Sequence, residues 1–411
     1  MLDIKFIREN PEKVKEACKN RGLVCDVRKV IELDEKRREL LQKIEGLQAQ
    51  QNKLGKEDIE KAKQLKQEVK ELEPQLRDVE VGLHSMLSLF PNIPQEDVPV
   101  GDESKNVVLR QVGKQPKFSF EPKDHLELGE ALNIIDVKRA VKLSGSRFGY
   151  VKREAALMEF ALVQLAFEMA SKEGFVPIIP PVLVKPEAMQ GMGYVDTPED
   201  LAERYYLEKD QLFLVGTAEQ AVGPLHQGEV FEEGELPSRA IAFSTCFREE
   251  AGSYGKDTRG ILRVHQFDKL EMFSFAHPEK SKEEHQFLVS LQEKLWKQLE
   301  IPYQVVQLAT GDMARPSSST IDIEAWMPGQ GKYREVSSAS NTTDFQARRL
   351  NIKFRGKEGK LEYVHMLNAT AFAIGRTIIA ILENYQQKDG SVKIPKVLQK
   401  YIGKSEIKRP A

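Results

Sequence analysis

The sequence predicts an α+β protein, in which an N-terminal antiparallel helical coiled-coil arm precedes an antiparallel sheet flanked by helices. Two heptad series fill most of the first ninety residues. The remainder contains short apolar runs that are separated by turns rather than by regularly alternating helices. The chain has 411 residues, which exceeds one ordinary domain. We therefore expect two domains, at residues 1–100 and 101–411.

The helical arm is predicted from the spacing of apolar residues. The first series comprises Val30, Leu33, Arg37, Leu40, Ile44, Leu47, Gln51 and Leu54, and the second comprises Val69, Leu72, Leu76, Val79, Leu83, Met86 and Phe90. Both advance by alternating steps of three and four, which is the spacing of a coiled-coil seam. Between them Gly55 can end one helix and Asp58 can begin the next. So short a turn makes the helices antiparallel, and Pro74 is expected to kink the second.

Two roles are open for such an arm. Heptad helices commonly form a dimerisation coiled coil, but two helices that already bury each other's seams have less need of a second copy. The alternative is a lever that holds a large partner, because about 25 residues per helix give a length of roughly 40 Å. Lys and Glu are both frequent on the arm, so its charge does not identify the partner.

The second domain is predicted to begin after a proline-rich polar linker at 91–106. An apolar-faced helix is expected over 155–174 and a late buried helix over 370–387. Strands are expected at 175–184, 211–216, 239–247, 269–275, 301–308, 320–327 and 333–340. The first of these strands contains three prolines, which excludes a central ladder position and favours a sheet edge or an interface.

Composition and charge exclude several classes of protein. The net charge is -2, so no overall field indicates nucleic acid or a membrane surface. No apolar run approaches a membrane span, and the first residues do not resemble a secretion signal. Cys18, Cys25 and Cys246 are too few and too scattered for a disulfide framework, and no Cys/His cluster has the spacing of a zinc site. We expect a cytoplasmic protein without a membrane span, a disulfide or zinc.

A charged hairpin is predicted at 246–273. Its two strands flank a glycine-rich loop that can close over a ligand. If the first strand continues to Glu250, then Arg248 and Glu250 share one face and Glu249 points to the other. With Phe267 on the returning strand, this face offers a fork for phosphate, an acceptor for an amino group and a ring for stacking. These are the requirements of ATP. A surface hairpin with weak cross-strand ion pairs is the alternative.

Other segments strengthen the nucleotide hypothesis. The residues concerned are Thr217 and Glu219 after one strand, Glu335, Ser337 and Ser338 at the predicted end of another, and Arg376 at a helix start. A carboxylate and a hydroxyl three residues apart suit Mg²⁺ on a phosphate, and a helix N-terminus with Arg376 favours an anion. Each segment also has a structural alternative as a cap, a turn or a surface arginine. The sequence has neither a GxGxxG loop nor a GxxxxGK[ST] loop, so ATP would bind by another geometry.

Taken in order, these segments resemble those of the seryl-tRNA synthetases of the bacterial, zinc-independent type, which are class II aminoacyl-tRNA synthetases. The resemblance covers essentially the whole chain. Its motifs are the helical arm, PPVLV with Pro181 as the motif 1 proline, TAE, FREEAGSYGKDTRGILRVHQFDKLE as motif 2, PGQGKYREVSSASN with DFQARR, and AIGRT as motif 3.

The resemblance implies a catalytic sheet of about seven strands, a homodimer joined through the motif 1 region, and catalytic roles for Arg248 and Arg376. It implies an ATP site at Arg248, Glu249, Glu250, Val264, His265, Gln266, Phe267, Glu335, Val336, Ser337, Ser338 and Arg376, with Mg²⁺ on Glu335 and Ser338. It implies a serine pocket at Thr217, Ala218, Glu219, Glu271, Asn368 and Thr370. No dedicated base is expected, because adenylate formation needs positioning and charge neutralisation rather than proton transfer.

The implied reaction has two steps, in which serine and ATP form seryl-adenylate and the seryl group is then transferred to the 3′ end of tRNA-Ser. Residues 1–100 would bind the tRNA and residues 101–411 would catalyse. Whether tRNA-Sec is also a substrate is left open. Two departures from the family pattern stand out. Ala369 and Ala371 flank Thr370 where glycines are usual, and the arm is shorter than usual.

Three rival functions are disfavoured by the sequence. An inactive paralogue is disfavoured by the retention of a set of charged residues, which are Arg248, Glu250, Glu271, Glu335 and Arg376. A relative that loads a carrier protein would lack the arm and would have a cysteine-bound zinc. A different class II amino-acid specificity is disfavoured by the arm and by the TAE segment.

Overall fold

A computed structural model describes residues 1–55, 58–251 and 259–410. The chain forms two compact units, Met1–Ile93 and Pro94–Ala411. The division of function between residues 1–100 and 101–411 stays a prediction. In the described part of the chain, no helix has both the length and the apolar character needed to cross a membrane.

The first unit is entirely helical. Its helices are α1 (Ile4–Glu9), α2 (Pro11–Asn20), α3 (Val27–Gln51) and α4 (Ile59–Ser88). Helices α3 and α4 pack along each other. Their seam buries the predicted apolar positions Val30, Leu40, Ile44, Val69, Val79 and Leu83. The heptad prediction is confirmed.

The turn between the two long helices differs in detail from the prediction. Helix α3 ends at Gln51, four residues before Gly55, and Asp58 occupies the N-cap position of α4 as predicted. Its carboxylate accepts from the Gly55 backbone N–H rather than from α4. Helix α4 continues through Pro74.

Two features fix the base of the arm. Asp34 is 0% exposed and accepts hydrogen bonds from Arg8, Arg37 and Arg38 at 2.9–3.1 Å. Cys18 and Cys25 form a disulfide across the turn between α2 and α3. The expectation of no disulfide was wrong for this pair. The turn reverses the chain and brings residues seven apart to a Cα–Cα distance of 6.2 Å, which sequence spacing alone does not reveal.

The second unit is built on one large sheet. The strands of the whole unit, including those of smaller sheets, are β1 (Val107–Val112), β2 (Ile135–Asp136), β3 (Tyr150–Val151), β4 (Val176–Ile178), β5 (Leu183–Val184), β6 (Tyr206–Leu207), β7 (Leu212–Leu214), β8 (Val230–Glu232), β9 (Ser238–Phe247), β10 (Gln266–Ala276), β11 (Tyr303–Gln307), β12 (Ser319–Met327), β13 (Lys332–Asn341), β14 (Lys353–Arg355), β15 (Leu361–Tyr363), β16 (His365–Ala373), β17 (Val392–Lys393) and β18 (Glu406–Ile407).

Helices and short turns connect these strands. The helices are α5 (His125–Ala131), α6 (Val137–Ser144), α7 (Arg153–Lys172), α8 (Pro186–Met192), α9 (Pro198–Ala202), α10 (Glu219–Val222), α11 (Ser281–Gln298), α12 (Phe345–Leu350), α13 (Ile374–Asn384) and α14 (Lys396–Ile402). Single 3₁₀ turns lie at Glu103–Lys105, Gly223–His226, Glu233–Glu235, Pro278–Lys280 and Lys357–Gly359.

The large sheet has eight strands in the order β1-β11-β12-β13-β16-β10-β9-β4. All neighbours are antiparallel except β4, which runs parallel to β9 at one edge. The α+β prediction is confirmed. The proline-containing strand predicted at 175–184 is instead two short strands, of which β4 lies at the edge of the large sheet as expected and β5 pairs with β7 in another sheet. Helices α7, α11 and α13 supply side chains to the hydrophobic core together with the central strands. The opposite face of those strands carries polar side chains in one part, among them Lys269 and Glu271, and a second apolar cluster with Ala242 and Phe273 in another.

Two predicted boundaries were wrong. Residues 370–373 belong to strand β16 and not to the late helix, which begins at Ile374. This apolar run is buried almost throughout, so no periodicity distinguishes strand from helix. From Pro94 onward the predicted linker belongs to the sheet unit, where Val98 packs with Val306, Leu308 and Met313.

Candidate active site

The polar face of the large sheet forms a cleft of about 560 Å³, next to a smaller cavity of about 120 Å³. Five residues line both, so they mark the neck where the two spaces meet. They are Tyr194, Lys269, Ala314, Ser338 and Thr370. The larger space has the size of a nucleotide site, and the smaller one suits a small polar group.

Arg248 and Phe267 are brought together on the wall of the cleft. Cys246 and Phe267 are register partners on β9 and β10. The Arg248 guanidinium carbon lies 5.2 Å from the Phe267 ring centroid, and its Nε donates to the Gly216 carbonyl at 3.0 Å. A cation and an aromatic face are therefore presented side by side, as the recognition of a phosphate and a base requires.

Arg248 and Glu250 were predicted to point to the same face of a strand, but the strand ends before either residue. Strand β9 stops at Phe247, and Glu250 has a positive φ of 53°. Both side chains nevertheless line the cleft. The Glu250 carboxylate accepts from Arg263 at 2.7 Å, so its charge is already compensated. The predicted glycine-rich loop falls largely on residues 252–258, which lie outside the described residues.

Three residues predicted for the ATP site do not line the cleft. The carboxylate of Glu249 lies beside Tyr205, where burial and then the Glu249 charge raise the pKa of the phenol. The His265 ring contacts the Arg248 carbonyl at 3.0 Å, and Gln266 lines a separate cavity of about 320 Å³. Val264, Val336 and Ser337 do line the cleft.

Glu335 and Ser338, the predicted Mg²⁺ ligands, lie in the middle of β13 rather than at a strand end. Strict alternation would place residues three apart on opposite faces. The register pairs Glu335 with Glu324 and Ser337 with Ile323, which leaves Val336 as an extra residue. This β-bulge turns Glu335 and Ser338 to the same face.

Charged side chains from neighbouring elements surround Glu335 and Ser338. Arg376 contacts the Glu335 carboxylate at 3.1 Å and its carbonyl at 3.0 Å. The Arg376 charge holds the pKa of Glu335 below its usual value. Asp322, opposite Ser338 on β12, is buried, and one of its carboxylate oxygens has no hydrogen-bond partner. Burial, followed by the Glu335 charge, raises the pKa of Asp322 well above its usual value.

The smaller cavity is centred on Glu271. One of its oxygens accepts from Thr370 Oγ1 at 3.1 Å and contacts Lys269 Nζ at 2.7 Å, whereas the other has no partner. Lys269 also donates to Thr217 Oγ1 at 3.1 Å. Burial raises the pKa of Glu271 to about 7. Lys269 opposes this shift, and the Glu219 charge adds to it.

The remaining serine-pocket residues are distributed unevenly. Glu219 and Asn368 line the smaller cavity, and Glu219 accepts a hydrogen bond from the Tyr194 hydroxyl. Ala218 is buried in an adjacent apolar cluster and does not line the cavity. Burial and then the Glu219 charge raise the pKa of Tyr194.

Ala369 and Ala371 do not narrow the smaller cavity. Both belong to the hydrophobic core, whereas Thr370 and Asn368 line the cavity. The register pairs Glu271 with Thr370 and Leu270 with Phe372, so Ala371 is the extra residue of a second β-bulge. The methyl groups that depart from the family pattern therefore point away from the polar face.

Sequence reasoning missed several residues of the site, among them Tyr194, Arg204, Lys269 and Asp322. Lys269 could have been found, because it alternates with Phe267 and Glu271 on one strand and so shares their face. The positions of Tyr194, Arg204 and Asp322 depend on contacts between distant segments that no local pattern records.

Comparisons with known proteins agree with this geometry. The family model described as the seryl-tRNA synthetase N-terminal domain matches residues 1–94, and the tRNA synthetase class II core domain (G, H, P, S and T) matches residues 205–385. A serine--tRNA ligase of Dictyoglomus turgidum is 46% identical, with 99% of each chain covered.

Two solved structures are similar over the whole chain. Seryl-tRNA synthetase from Pyrococcus horikoshii, complexed with ATP, has a TM-score of 0.93 and 40% identity, with all of both chains covered. Cytoplasmic serine-tRNA ligase from Naegleria fowleri, in complex with AMP, has a TM-score of 0.90 and 34% identity, covering 100% of this chain and 99% of that one. The resemblance seen in the motifs is confirmed, and the chain belongs to the seryl-tRNA synthetase family.

Proposed function

We propose that this chain is an ATP-dependent serine--tRNA ligase, which activates L-serine to seryl-adenylate and transfers the seryl group to the 3′ end of tRNA-Ser. The observation that carries this function is the small cavity around Glu271 and Thr370, which opens into a cleft lined by Arg248, Phe267 and Arg376. An amino acid and a nucleotide bound in these two spaces would meet at the neck between them.

In the first step an oxygen of the serine carboxylate attacks the α-phosphorus of ATP. The bond from that phosphorus to the bridging oxygen breaks, and pyrophosphate leaves. Arg248 holds the α-phosphate and the serine carboxylate, and Arg376 holds the γ-phosphate. Phe267 stacks on adenine, and Glu250 accepts from its amino group. Because no proton is transferred, the site works through positioning and charge neutralisation.

Glu335 and Ser338 fit a Mg²⁺ site, because a carboxylate and a hydroxyl on one face are the hard oxygen donors that this ion takes together with phosphate oxygens. The buried, unpartnered oxygen of Asp322 beside them supports a cation at this position. When bound, Mg²⁺ neutralises phosphate charge. The Glu335 carboxylate, now paired with Arg376, would then exchange that partner for the metal.

Serine is selected by the polar groups of the smaller cavity. The unpartnered oxygen of Glu271 can accept from the ammonium or the hydroxyl, and Thr370 lies beside it. A substrate without the hydroxyl would leave a buried polar group unsatisfied, which disfavours alanine and glycine. Threonine keeps the hydroxyl, so it must be rejected by the size of the cavity.

In the second step a hydroxyl of the terminal adenosine of tRNA attacks the seryl carbonyl, and AMP leaves. The arm formed by α3 and α4 binds tRNA-Ser by shape and phosphate contacts rather than by reading the anticodon. We propose that this activity is cytoplasmic, where ATP, serine and tRNA are available. Whether tRNA-Sec is also charged can be tested by measuring its aminoacylation in place of tRNA-Ser.

The functional unit is a homodimer formed through the motif 1 region. Helix α7 exposes Leu157 and Phe160, and the segment with β4 exposes Val176 and Ile179. The exposed fractions are 66% for Phe160 and 80% for Ile179. Such apolar side chains on adjoining elements are typical of an interface. The variant Phe160→Glu is expected to be monomeric in light scattering. A dimer of unchanged affinity would contradict this assignment.

The function is tested by exchange of labelled pyrophosphate into ATP, with serine, threonine, alanine and glycine in separate reactions. Exchange with serine alone, lost in EDTA and restored by Mg²⁺, is the expected result. Charging of tRNA-Ser transcripts follows as the second assay. Absence of exchange with every amino acid would overturn the proposal, and EDTA-resistant exchange would overturn the metal site.

A further inference from the structure

Lys269 is the cation at the neck between the two cavities. Of the five described residues that line both, it alone carries a positive charge. Its side chain is 11% exposed, and Nζ lies 2.7 Å from Glu271 and 3.1 Å from Thr217 Oγ1. Two other cations of the cleft are also paired with carboxylates, Arg376 with Glu335 and Arg263 with Glu250.

The Lys269–Glu271 pair occupies the place where the substrates must react. Under the proposed function, the serine ammonium enters the cavity around Glu271, and the serine carboxylate faces the cleft. The ammonium and Lys269 then compete for the same carboxylate. Glu271 has one oxygen without a partner, so serine can begin to bind before the ion pair separates.

We propose that Lys269 exchanges partners during catalysis. In the free enzyme it is the counter-ion of Glu271. When serine binds, the substrate ammonium takes over Glu271, and Lys269 Nζ turns to the serine carboxylate and the α-phosphate. No covalent bond changes in this exchange. The positive charge of Lys269 therefore moves from Glu271 to the serine carboxylate and the α-phosphate, whose mutual repulsion opposes adenylate formation.

This inference rests on the proposed function and gives Lys269 a role in the reaction rather than in folding alone. If Lys269 were only a counter-ion that keeps Glu271 ionised, its removal would weaken serine binding and leave the rate of the bound complex unchanged. If it changes partners, its removal relieves competition for Glu271 and lowers the rate of the chemical step. The two roles therefore predict opposite divisions between affinity and rate.

The test compares Lys269→Met, Lys269→Arg and the control Lys294→Met, which removes a half-exposed lysine from its ion pair with Glu173. Serine affinity is measured by calorimetry, and kcat by pyrophosphate exchange. For Lys269→Met we expect kcat to fall about 100-fold or more, with serine affinity changed by less than about fivefold. Lys269→Arg is expected to regain at least about tenfold of the lost rate. Lys294→Met should match the wild type.

A kcat within about twofold of the wild type, with serine affinity lowered more than about tenfold, would overturn the inference. The same holds if Lys269→Arg recovers nothing. Wild-type exchange with serine is measured first, so a failure of the proposed function is recognised before any variant is compared.

A second measurement does not depend on the folding of a variant. The wild-type protein is crystallised with the sulfamoyl analogue of seryl-adenylate, whose sulfamoyl oxygens stand in for those of the α-phosphate. We expect Lys269 Nζ to lie beyond about 4 Å from Glu271 and within hydrogen-bond distance of the analogue. Retention of the 2.7 Å contact with Glu271 would overturn the inference.

Discussion

The two units of this protein treat buried charge in opposite ways. In the arm, Asp34 is completely buried, and three arginines satisfy its carboxylate. In the sheet unit, Glu271 and Asp322 are also buried, yet each retains an oxygen without a partner. Among the described residues, the buried side-chain atoms that lack a partner all lie in the sheet unit. A completed network holds a structure together, whereas an incomplete one is prepared for a ligand.

The largest effect is expected when a charged group is removed from the site in the sheet unit. Arg248→Ala is expected to reduce serine-dependent pyrophosphate exchange by about 1,000-fold, because the α-phosphate loses its charged donor. Thermal unfolding should be almost unchanged, since Arg248 donates only to a backbone carbonyl and stacks on a ring. Exchange within about tenfold of the wild type would show that Arg248 does not act on the phosphate.

Removal of the arm separates the two units directly. Replacing residues 27–88 by a short glycine linker is expected to lower charging of tRNA-Ser by at least about 100-fold, because most phosphate contacts are lost. Pyrophosphate exchange needs no tRNA and should stay within about threefold of the wild type. Replacing only residues 50–60 by a minimal turn tests the tip. Unchanged tRNA affinity in that variant would exclude a contact there.

The completed network is tested at Asp34. The variant Asp34→Asn leaves Arg8, Arg37 and Arg38 without their common carboxylate, and we expect the arm to lose about 3 kcal/mol of stability. Hydrogen exchange should accelerate in α3, while pyrophosphate exchange is unaffected. Glu35→Asn, at an exposed position of the same helix, is the control. Equal protection in both variants would mean that the buried charge is dispensable.

A smaller effect, on the pH dependence of stability, is expected from a substitution in the separate cavity of about 320 Å³, which both Glu159 and Asp268 line. Burial, followed by the Asp268 charge, raises the pKa of Glu159 to about 8. The folded protein therefore holds a proton that the unfolded chain releases near pH 4.3, and stability falls as pH rises through this window. Glu159→Gln should raise the melting temperature more at pH 8.5 than at pH 5.5.

The control for this comparison lies on the same helix. The pKa of Glu168 is lowered by hydrogen bonds from Tyr401 and then Lys400, so this carboxylate is ionised at both pH values. The effect of Glu168→Gln on the melting temperature should be equal at pH 5.5 and pH 8.5. A pH dependence of the same sign in both variants would refute the assignment to Glu159.

The smallest effect concerns the alanines beside Thr370. Ala371→Gly restores the residue type usual in the family but alters only a core-facing methyl. We expect KM for serine to change by less than about threefold and stability to fall by roughly 0.5–1 kcal/mol. Steady-state kinetics and thermal unfolding measure both. A large decrease in KM would show that the methyl narrows the serine cavity after all.

The sequence predicted the two units unequally. The heptad seam of the arm follows from local spacing, so buried positions such as Val30, Leu40 and Leu83 were identified in advance, although the buried Leu65 and Leu87 lay outside the predicted series. In the sheet unit, the strands around Arg248, Glu271 and Glu335 were recognised, but the faces of their side chains were not. Those faces depend on where β9 ends and on the extra residue in β13, which pairing between distant segments decides.

The site residues predicted from the family resemblance largely converge on the two adjoining cavities. Lys269 lies within the motif 2 string but was assigned no role, and Asp322 belongs to no quoted motif; the significance of both comes from the charged groups beside them. The disulfide of Cys18 and Cys25 was missed for a similar reason, since a turn and not a spacing rule brings the two sulfurs together.

The bulges at Val336 and Ala371 have a consequence for protein engineering. Each adds one residue to its strand, so the pairing register with the neighbouring strand differs by one residue between the two halves of β13 and of β16. Deleting Val336 would shorten β13 by a single residue, but it would also rotate Glu335 away from Ser338. Anyone who transplants this constellation to another sheet must therefore carry the backbone irregularity along with the side chains.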